Sequence, residues 1–296
     1  MHPTTSTLSC EWNIELGCVP KDIRGDRSLK IEKIEPNYSG TYHGTGTPPE
    51  LSMLKEWEDW QNKHREFVCI TDSPHGLKET LKFVGGADIS ENGGKAVVGL
   101  VVMAFPSLET IYTDVEVTEL STPYVAGFLG FREATISKLV HKFLAQTPVL
   151  FDLPRERILD SFILLVDGNG VLHERRFGCA CHISLLTGVA SIGVGKTYYS
   201  IPAVTKYTRG QANNELPLFH KGDWVRLGDV EAAALKSSDN AKNPIFISVG
   251  HRVSLKTAIE VVLEYSKGFR VPEPIRAADH VTRAVLKQTS QFATLG

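Results

Sequence analysis

A chain of 296 residues with 42% hydrophobic side chains can bury a core, which excludes disorder throughout. Its longest apolar runs, Val97 to Phe105 and Phe162 to Val166, fall far short of the roughly 18–20 residues that cross a bilayer, and the N-terminus lacks the basic-then-apolar order of a signal peptide. A monomer without membrane contact is expected, cytoplasmic and extending to the nucleus and nucleolus. The net charge of −2 does not exclude a nucleic-acid partner: residues 1–60 carry 6 basic and 10 acidic side chains, leaving 26 against 24 in the rest. Between residues 171 and 210, Arg175, Arg176, Lys196, Lys206 and Arg209 face Glu174 alone, so basic surface is available for phosphates. Five cysteines, an odd number spread along the chain, fit reduced thiols. Cys179-Ala180-Cys181-His182 has no second ligand pair at zinc spacing and reads as a buried thiol pair.

Residues 1–50 are acidic, turn-rich and without periodic apolar pattern, and read as an irregular extension. Leu51, Leu54, Trp57, Trp60 and His64 then fall at helical spacing within a helix predicted over Glu50 to Phe67. Three strands follow, Leu77 to Ser90, Lys95 to Phe105 and Leu108 to Leu120, joined by tight turns containing Asn92-Gly93 and Pro106-Ser107; they predict an antiparallel meander. Ile136, Leu139, Val140, Phe143 and Leu144 form the apolar stripe of a helix over Arg132 to Gln146. Strand-like and helical runs then alternate: Phe162 to Val166, Phe177 to Leu186, Ala190 to Val194, Ile245 to Val249, and Ser254 to about Ser266. The expected fold is α/β, a mixed sheet with the meander followed by βαβ crossovers and helices on both faces.

Ligands of open α/β sheets gather at the carboxyl ends of the strands. Asp88 ends the run Phe83-Val84-Gly85-Gly86-Ala87, and Asp167 ends Phe162-Ile163-Leu164-Leu165-Val166; a carboxylate ending a buried apolar run beside glycine is poorly explained by packing. Glu133 lies three residues before Ile136 and seven before Val140, on the apolar face of its predicted helix. Three converging carboxylates repel one another in a partly dry site, and oxygen-ligated Mg2+, or Mn2+ in its place, relieves that repulsion. Lys196 follows Ile192-Gly193-Val194-Gly195, and His251 follows Phe246-Ile247-Ser248-Val249-Gly250. Acid, metal, lysine and histidine together suit phosphoryl transfer, with Lys196 neutralising a phosphate oxygen and His251 positioning water. Gly193-Val194-Gly195-Lys196-Thr197 is not a P-loop, because Ala190 occupies the required glycine.

The ordered segments Val84 to Asp88, Pro123 to Glu133, Val166 to His173, Gly193 to Lys196, Ser248 to Arg252 and Pro272 to Asp279 resemble the motifs of the endonuclease V family, over residues 50–285. The resemblance implies a ribonuclease H-like domain over 51–285, with 286–296 as a C-terminal tail. It implies Mg2+-dependent cleavage of inosine-containing nucleic acid at the second phosphodiester bond 3′ to the base, leaving 3′-hydroxyl and 5′-phosphate ends. It makes Asp88, Glu133 and Asp167 the metal ligands and maps the family's lysine and histidine to Lys196 and His251. Pro123-Tyr124 becomes the wedge that fills the gap beside an unstacked base. Gly127 and the loop after Gly168 contact the base, and Arg132, His173 and Arg252 join the substrate-binding set.

Some positions depart from the family pattern: His173-Glu174-Arg175 lacks the proline common after that histidine in bacterial members, and Ala126, Ser184 and Gly195 replace commoner residues. With Asn169 to His173 and Ala180-Cys181-His182 they resemble the animal branch, which implies inosine in single-stranded or unpaired RNA as substrate. Deoxyinosine DNA repair and a non-catalytic RNA-binding module remain the alternatives.

Overall fold

The computed structural model describes residues 10–13, 17–20, 50–72, 77–92, 94–120, 122–201 and 205–293. Within the N-terminal extension, β1 (Cys10–Asn13) and β2 (Gly17–Pro20) pair as an antiparallel hairpin, so this stretch is not irregular throughout; most of the remaining extension lies outside the described residues. Helix α1 (Leu51–His64) ends in a 3-10 turn, Arg65–Phe67, over the span its periodicity predicts.

The first predicted strand begins later than its apolar pattern suggests. Leu77 and Leu81, four residues apart, are both buried, and Leu77–Thr80 is a short helix, α2; β3 (Phe83–Asn92) starts after it. β4 (Lys95–Ala104) and β5 (Thr110–Glu119) complete the antiparallel meander, unbroken between β3 and β4 and with a shift of register at Val102/Met103 between β4 and β5. The next helix also differs from its prediction. α3 (Leu129–Arg132) leads into a 3-10 turn, Glu133–Thr135, and α4 runs over Ile136–Phe151. α4 continues through Pro148, whose missing N–H leaves the Leu144 carbonyl without its usual helical donor; the Thr147 hydroxyl donates to it instead, at 2.8 Å.

After α5 (Arg155–Leu159) come β6 (Phe162–Val166), α6 (Cys179–Thr187) and β7 (Ala190–Gly195), and β3, β6 and β7 pair in parallel. Here the expected βαβ alternation stops. α7 (Arg209–Asn214), β8 (Trp224–Arg226) and β9 (Ala232–Leu235) intervene before β10 (Ile245–His251), which lies antiparallel to β7. The main sheet therefore has the order β5-β4-β3-β6-β7-β10-β9-β8. α8 (Leu255–Tyr265) and α9 (Glu273–Ala293) follow, and α9 continues without a break past residue 285.

The sheet is covered on both faces, as its two-sided apolar strands require. Ile136, Leu139, Val140 and Phe143 of α4 pack with Phe83, Leu100, Phe162 and Leu164. On the other face Ile259, Val262, Ile275 and Ala278 pack with Val84, Val101, Ile163 and Leu165. α9 sits so close to β3 that a Cβ on Gly86 would overlap the backbone of Pro274 and Ile275. Gly86→Ala should therefore lift the first turn of α9 off the sheet and cost at least about 1–3 kcal/mol in denaturant unfolding, whereas an unchanged midpoint would contradict this contact.

Candidate active site

Strand register brings the first two carboxylates together. Ala87 pairs with Val166, and Val166 with Gly193, so Asp88 and Asp167 are the next residues along two neighbouring parallel strands. Asp88 does not end its strand as the sequence suggested: β3 runs on to Asn92, paired with β4 alone, because β6 stops at Val166. Lys196 follows the last residue of β7, and its Nζ donates to Asp167 Oδ2 at 2.5 Å. Glu133 arrives from the turn before α4, and the buried Cys179 thiol at the start of α6 donates to its Oε2 at 2.9 Å.

Burial governs the electrostatics. Desolvation pushes the Glu133 carboxyl up to about 8, with the charges of Asp167 and Asp88 adding to it and the Cys179 hydrogen bond and Arg132 opposing it. Desolvation also raises Asp88; the Thr282 hydrogen bond opposes it, and the charges of Asp167 and Asp279 reinforce it. The Cys179 thiol is held far above its ordinary value, so it remains a donor.

Sequence reasoning missed the contribution of α9. The buried Thr282 donates to Asp88 Oδ2 at 3.0 Å, and Asp279 lies one turn earlier. The signal was the segment Pro272 to Asp279, quoted as a motif but never assigned a role at the site. Asn169, two residues after Asp167, was also missed: its Oδ1 is buried without a hydrogen-bond partner, 3.0 Å from where a Cβ on Gly195 would sit.

Among the described residues, no three His, Cys, Asp or Glu side chains are gathered as a ready metal cage. Each carboxylate is instead held by a protein donor: Thr282 on Asp88, Lys196 on Asp167 and Cys179 on Glu133. The donor set nevertheless fits a hard divalent cation, because the oxygens are carboxylates that raise one another's proton affinity and the buried amide oxygen of Asn169, two residues after Asp167, is unpaired. Asp88, Asp167 and Glu133 are the residues that would hold it.

His251 and Arg252 are not brought to this site. Because β10 runs antiparallel to β7, its first residues lie beside Gly195 and its last, His251, pairs with Ser191, back towards the start of β7. The His251 imidazole is buried, accepts the Cys69 N–H on Nδ1 at 3.0 Å, and is pushed down to about 3 by desolvation. Arg252 binds Asp160 at 2.8 Å and donates to the Gly188 carbonyl at 3.0 Å, joining the loops that precede β6 and β7. Both are therefore placed as structural groups, not as the water-positioning and substrate groups expected.

The remaining predicted residues form a turn near the carboxylates. Tyr124 is 46% exposed beside the half-buried Pro123. Arg132 donates to the Thr122 carbonyl at 2.6 Å and pairs with Glu91, so it tethers this loop to β3 and is held by protein partners. His173 is likewise turned inward: Nε2 donates to the Gly127 carbonyl at 2.9 Å and Nδ1 accepts the Arg175 N–H at 3.2 Å, which requires the neutral Nε2–H tautomer. Desolvation pushes it down to about 4. Gly168 is half-buried directly after Asp167.

The family model described as Endonuclease V matches residues 65–280. The chain belongs to the endonuclease V family. It is 35% identical to human Endonuclease V over 255 residues, covering 82% of this chain and 86% of that protein, and 36% identical to the mouse Endonuclease V over 263 residues, 82% and 72% of the two chains. The crystal structure of the catalytic domain of human Endonuclease V superposes with a TM-score of 0.72 at 34% identity, covering 82% of this chain and 99% of that one. Endonuclease V of Ciona intestinalis, solved with a 23mer DNA containing an inosine followed by a ribo-adenosine, superposes with a TM-score of 0.70 at 28% identity, covering 81% and 99%. Membership makes this protein a nuclease that requires a divalent metal ion, with the ribonuclease H-like sheet of the endonuclease V enzymes.

Two variants separate the site from its surroundings. Asp167→Asn should lower single-turnover cleavage by at least about 100-fold. His251→Leu should remove the imidazole acceptor of the Cys69 N–H and cost about 1–3 kcal/mol in stability while cleavage by the folded variant stays within a few fold; loss of cleavage without loss of stability would restore His251 to the site. In protein stripped of divalent ions with EDTA, the Glu133 carboxyl, raised from 4.5 to about 8, contributes stability that is present below pH 4.5 and lost as pH climbs to about 8. The stability difference between wild type and Glu133→Gln, measured by denaturant unfolding, should shift across that window, and a flat difference would contradict the placement of Glu133.

Proposed function

We propose that the protein cleaves RNA at inosine, in single-stranded or unpaired stretches, at the second phosphodiester bond 3′ to the base, leaving 3′-hydroxyl and 5′-phosphate ends. It acts as a monomer with Mg2+, Mn2+ substituting, in the cytoplasm and also in the nucleus and nucleolus. The observation that carries the reading is the half-exposed Tyr124 on a turn locked from behind, on the same molecule as the Asp88, Asp167, Glu133 and Lys196 cluster. A half-exposed aromatic ring on a fixed turn can fill the gap left by an unstacked base. The Ciona relative's complex supports this, with its inosine followed by a ribonucleotide.

When bound, a divalent cation supplies Lewis-acid polarisation of the phosphate and acidifies water. The chain's own residues do the rest. Asp88 and Asp167, beside the carboxyl end of β6, and Glu133, from the turn before α4, offer the carboxyl oxygens that would hold the cation, whose charge would favour their ionised forms. Lys196, already hydrogen-bonded to Asp167, places a positive charge beside the position of a phosphate oxygen. Pro123 and Tyr124 hold the substrate strand, and the backbone near Gly127 and Gly168 borders the base, where guanine would differ from hypoxanthine by its exocyclic amine.

The test incubates pure protein, with Mg2+ and with EDTA, against four matched single strands: RNA or DNA, each with one inosine or one guanosine. Mg2+-dependent cutting of the inosine RNA alone is expected, and Tyr124→Ala should lower the inosine-to-guanosine ratio by about tenfold. Cutting of the deoxyinosine strand in preference would replace RNA with DNA as substrate, and tight binding to inosine RNA without cutting would make the protein a reader.

A further inference from the structure

Gln61 of α1 precedes the segment matched by the endonuclease V family, yet its side chain is hydrogen-bonded at both its nitrogen and its oxygen beside the turn that carries Gly127. It is 2% exposed. Its Nε2 donates to the Gly127 carbonyl and to the Phe177 carbonyl, each at 3.1 Å, and its Oε1 accepts from Arg175 Nε at 2.5 Å. Two carbonyls and one guanidinium N–H leave a single amide orientation, because the reverse would set Oε1 against two oxygens.

The Gly127 carbonyl also accepts from Arg175 Nη2 at 2.8 Å and from His173 Nε2 at 2.9 Å, so three donors share one oxygen with two lone pairs. That oxygen has no capacity left for a base N–H. Gly127 itself has φ +82°, and a Cβ there would lie 2.6 Å from Glu174 Oε1 and 2.9 Å from Arg175 Nη2, so the turn is closed behind as well as bonded. The Arg175 guanidinium covers the Phe128 ring at 4.4 Å, and Phe128 packs on Trp57 of α1 at 5.2 Å. Segment 173–175 begins only six residues after Asp167, so one network joins the turn to the strand end that carries the chemistry.

We infer that Gln61 is a positioning residue that sets base specificity: with Arg175 and His173 it holds the Gly127 carbonyl and so fixes the turn that presents Tyr124. This inference rests on the reading that the turn meets the base. A rigid turn rejects an extra exocyclic amine by steric clash, whereas a turn free to relax admits it. Gln61 touches neither the base nor the carboxylates, and its effect passes through the turn.

The experiment measures single-turnover kcat/KM on inosine and guanosine RNA strands with Gln61→Met, which keeps volume and removes every hydrogen bond, and with Arg175→Lys, which keeps the charge but loses the fork. Thermal unfolding of each variant is recorded alongside. The expected result is a roughly tenfold fall in the inosine-to-guanosine ratio for both, with the Mg2+ concentration for half-maximal rate unchanged. If Gln61→Met does not fold, Arg175→Lys decides. Equal falls on both strands, leaving the ratio as in wild type, would reduce Gln61 to a structural role. Failure of the underlying reading looks different: the wild-type protein would then cut inosine and guanosine strands alike.

Discussion

The structure depends on the parallel pairing of β3 with β6, in which Ala87 faces Val166. Because β6 stops there and β3 does not, Asp88 and Asp167 come to lie side by side at a point where the sheet has lost one strand. A shift of one residue would turn one carboxylate to the opposite face and separate the pair. The apolar sequences on either side make such a shift costly: Val84 and Ile163 must face α8 and α9, while Phe83 and Phe162 must face α4. Packing on both faces thus sets the geometry of the acids.

Once the acids are placed there, the surroundings must balance them. Glu133 and Asp88 are both held protonated more readily than ordinary carboxyls by desolvation, and each has a protein donor. Lys196 supplies a positive charge bonded directly to the cluster, at Asp167. α9 closes the arrangement by contributing Thr282, and it can approach because Gly86 has no side chain to keep Pro274 away. Glu133 is reached from the other face of the sheet, through the turn that also carries Arg132 and the Tyr124 loop.

Much of this was legible in the sequence because burial and periodicity carry it. The apolar runs before Asp88 and Asp167 mark strands buried on both faces, and the stripe from Ile136 to Leu144 marks α4. What was not legible is direction. The run Ile245 to Val249 reads as a strand whichever way it points, and placing His251 at the active edge assumed a parallel strand; the antiparallel insertion beside β7 sends it the other way. β8 has only three residues and β9 is Ala-Ala-Ala-Leu, too short and too small in side chain to register as strands. α9 opens with Pro274 in its first turn, and so the chemistry it carries at Thr282 and Asp279 was not placed. Arg132 and His173 lie in motifs that resemble the family's, but only coordinates show that their side chains hold loops together.

The most direct test of the account is anomalous diffraction from crystals of the Lys196→Ala variant soaked in Mn2+. Removing the ammonium frees Asp167 without altering a carboxylate. The account predicts an anomalous peak bonded to Asp88 and Asp167, with Glu133 nearby and His251 still bonded to the Cys69 N–H. A peak ligated by His251, or ordered Mn2+ that leaves both aspartates untouched, would contradict it.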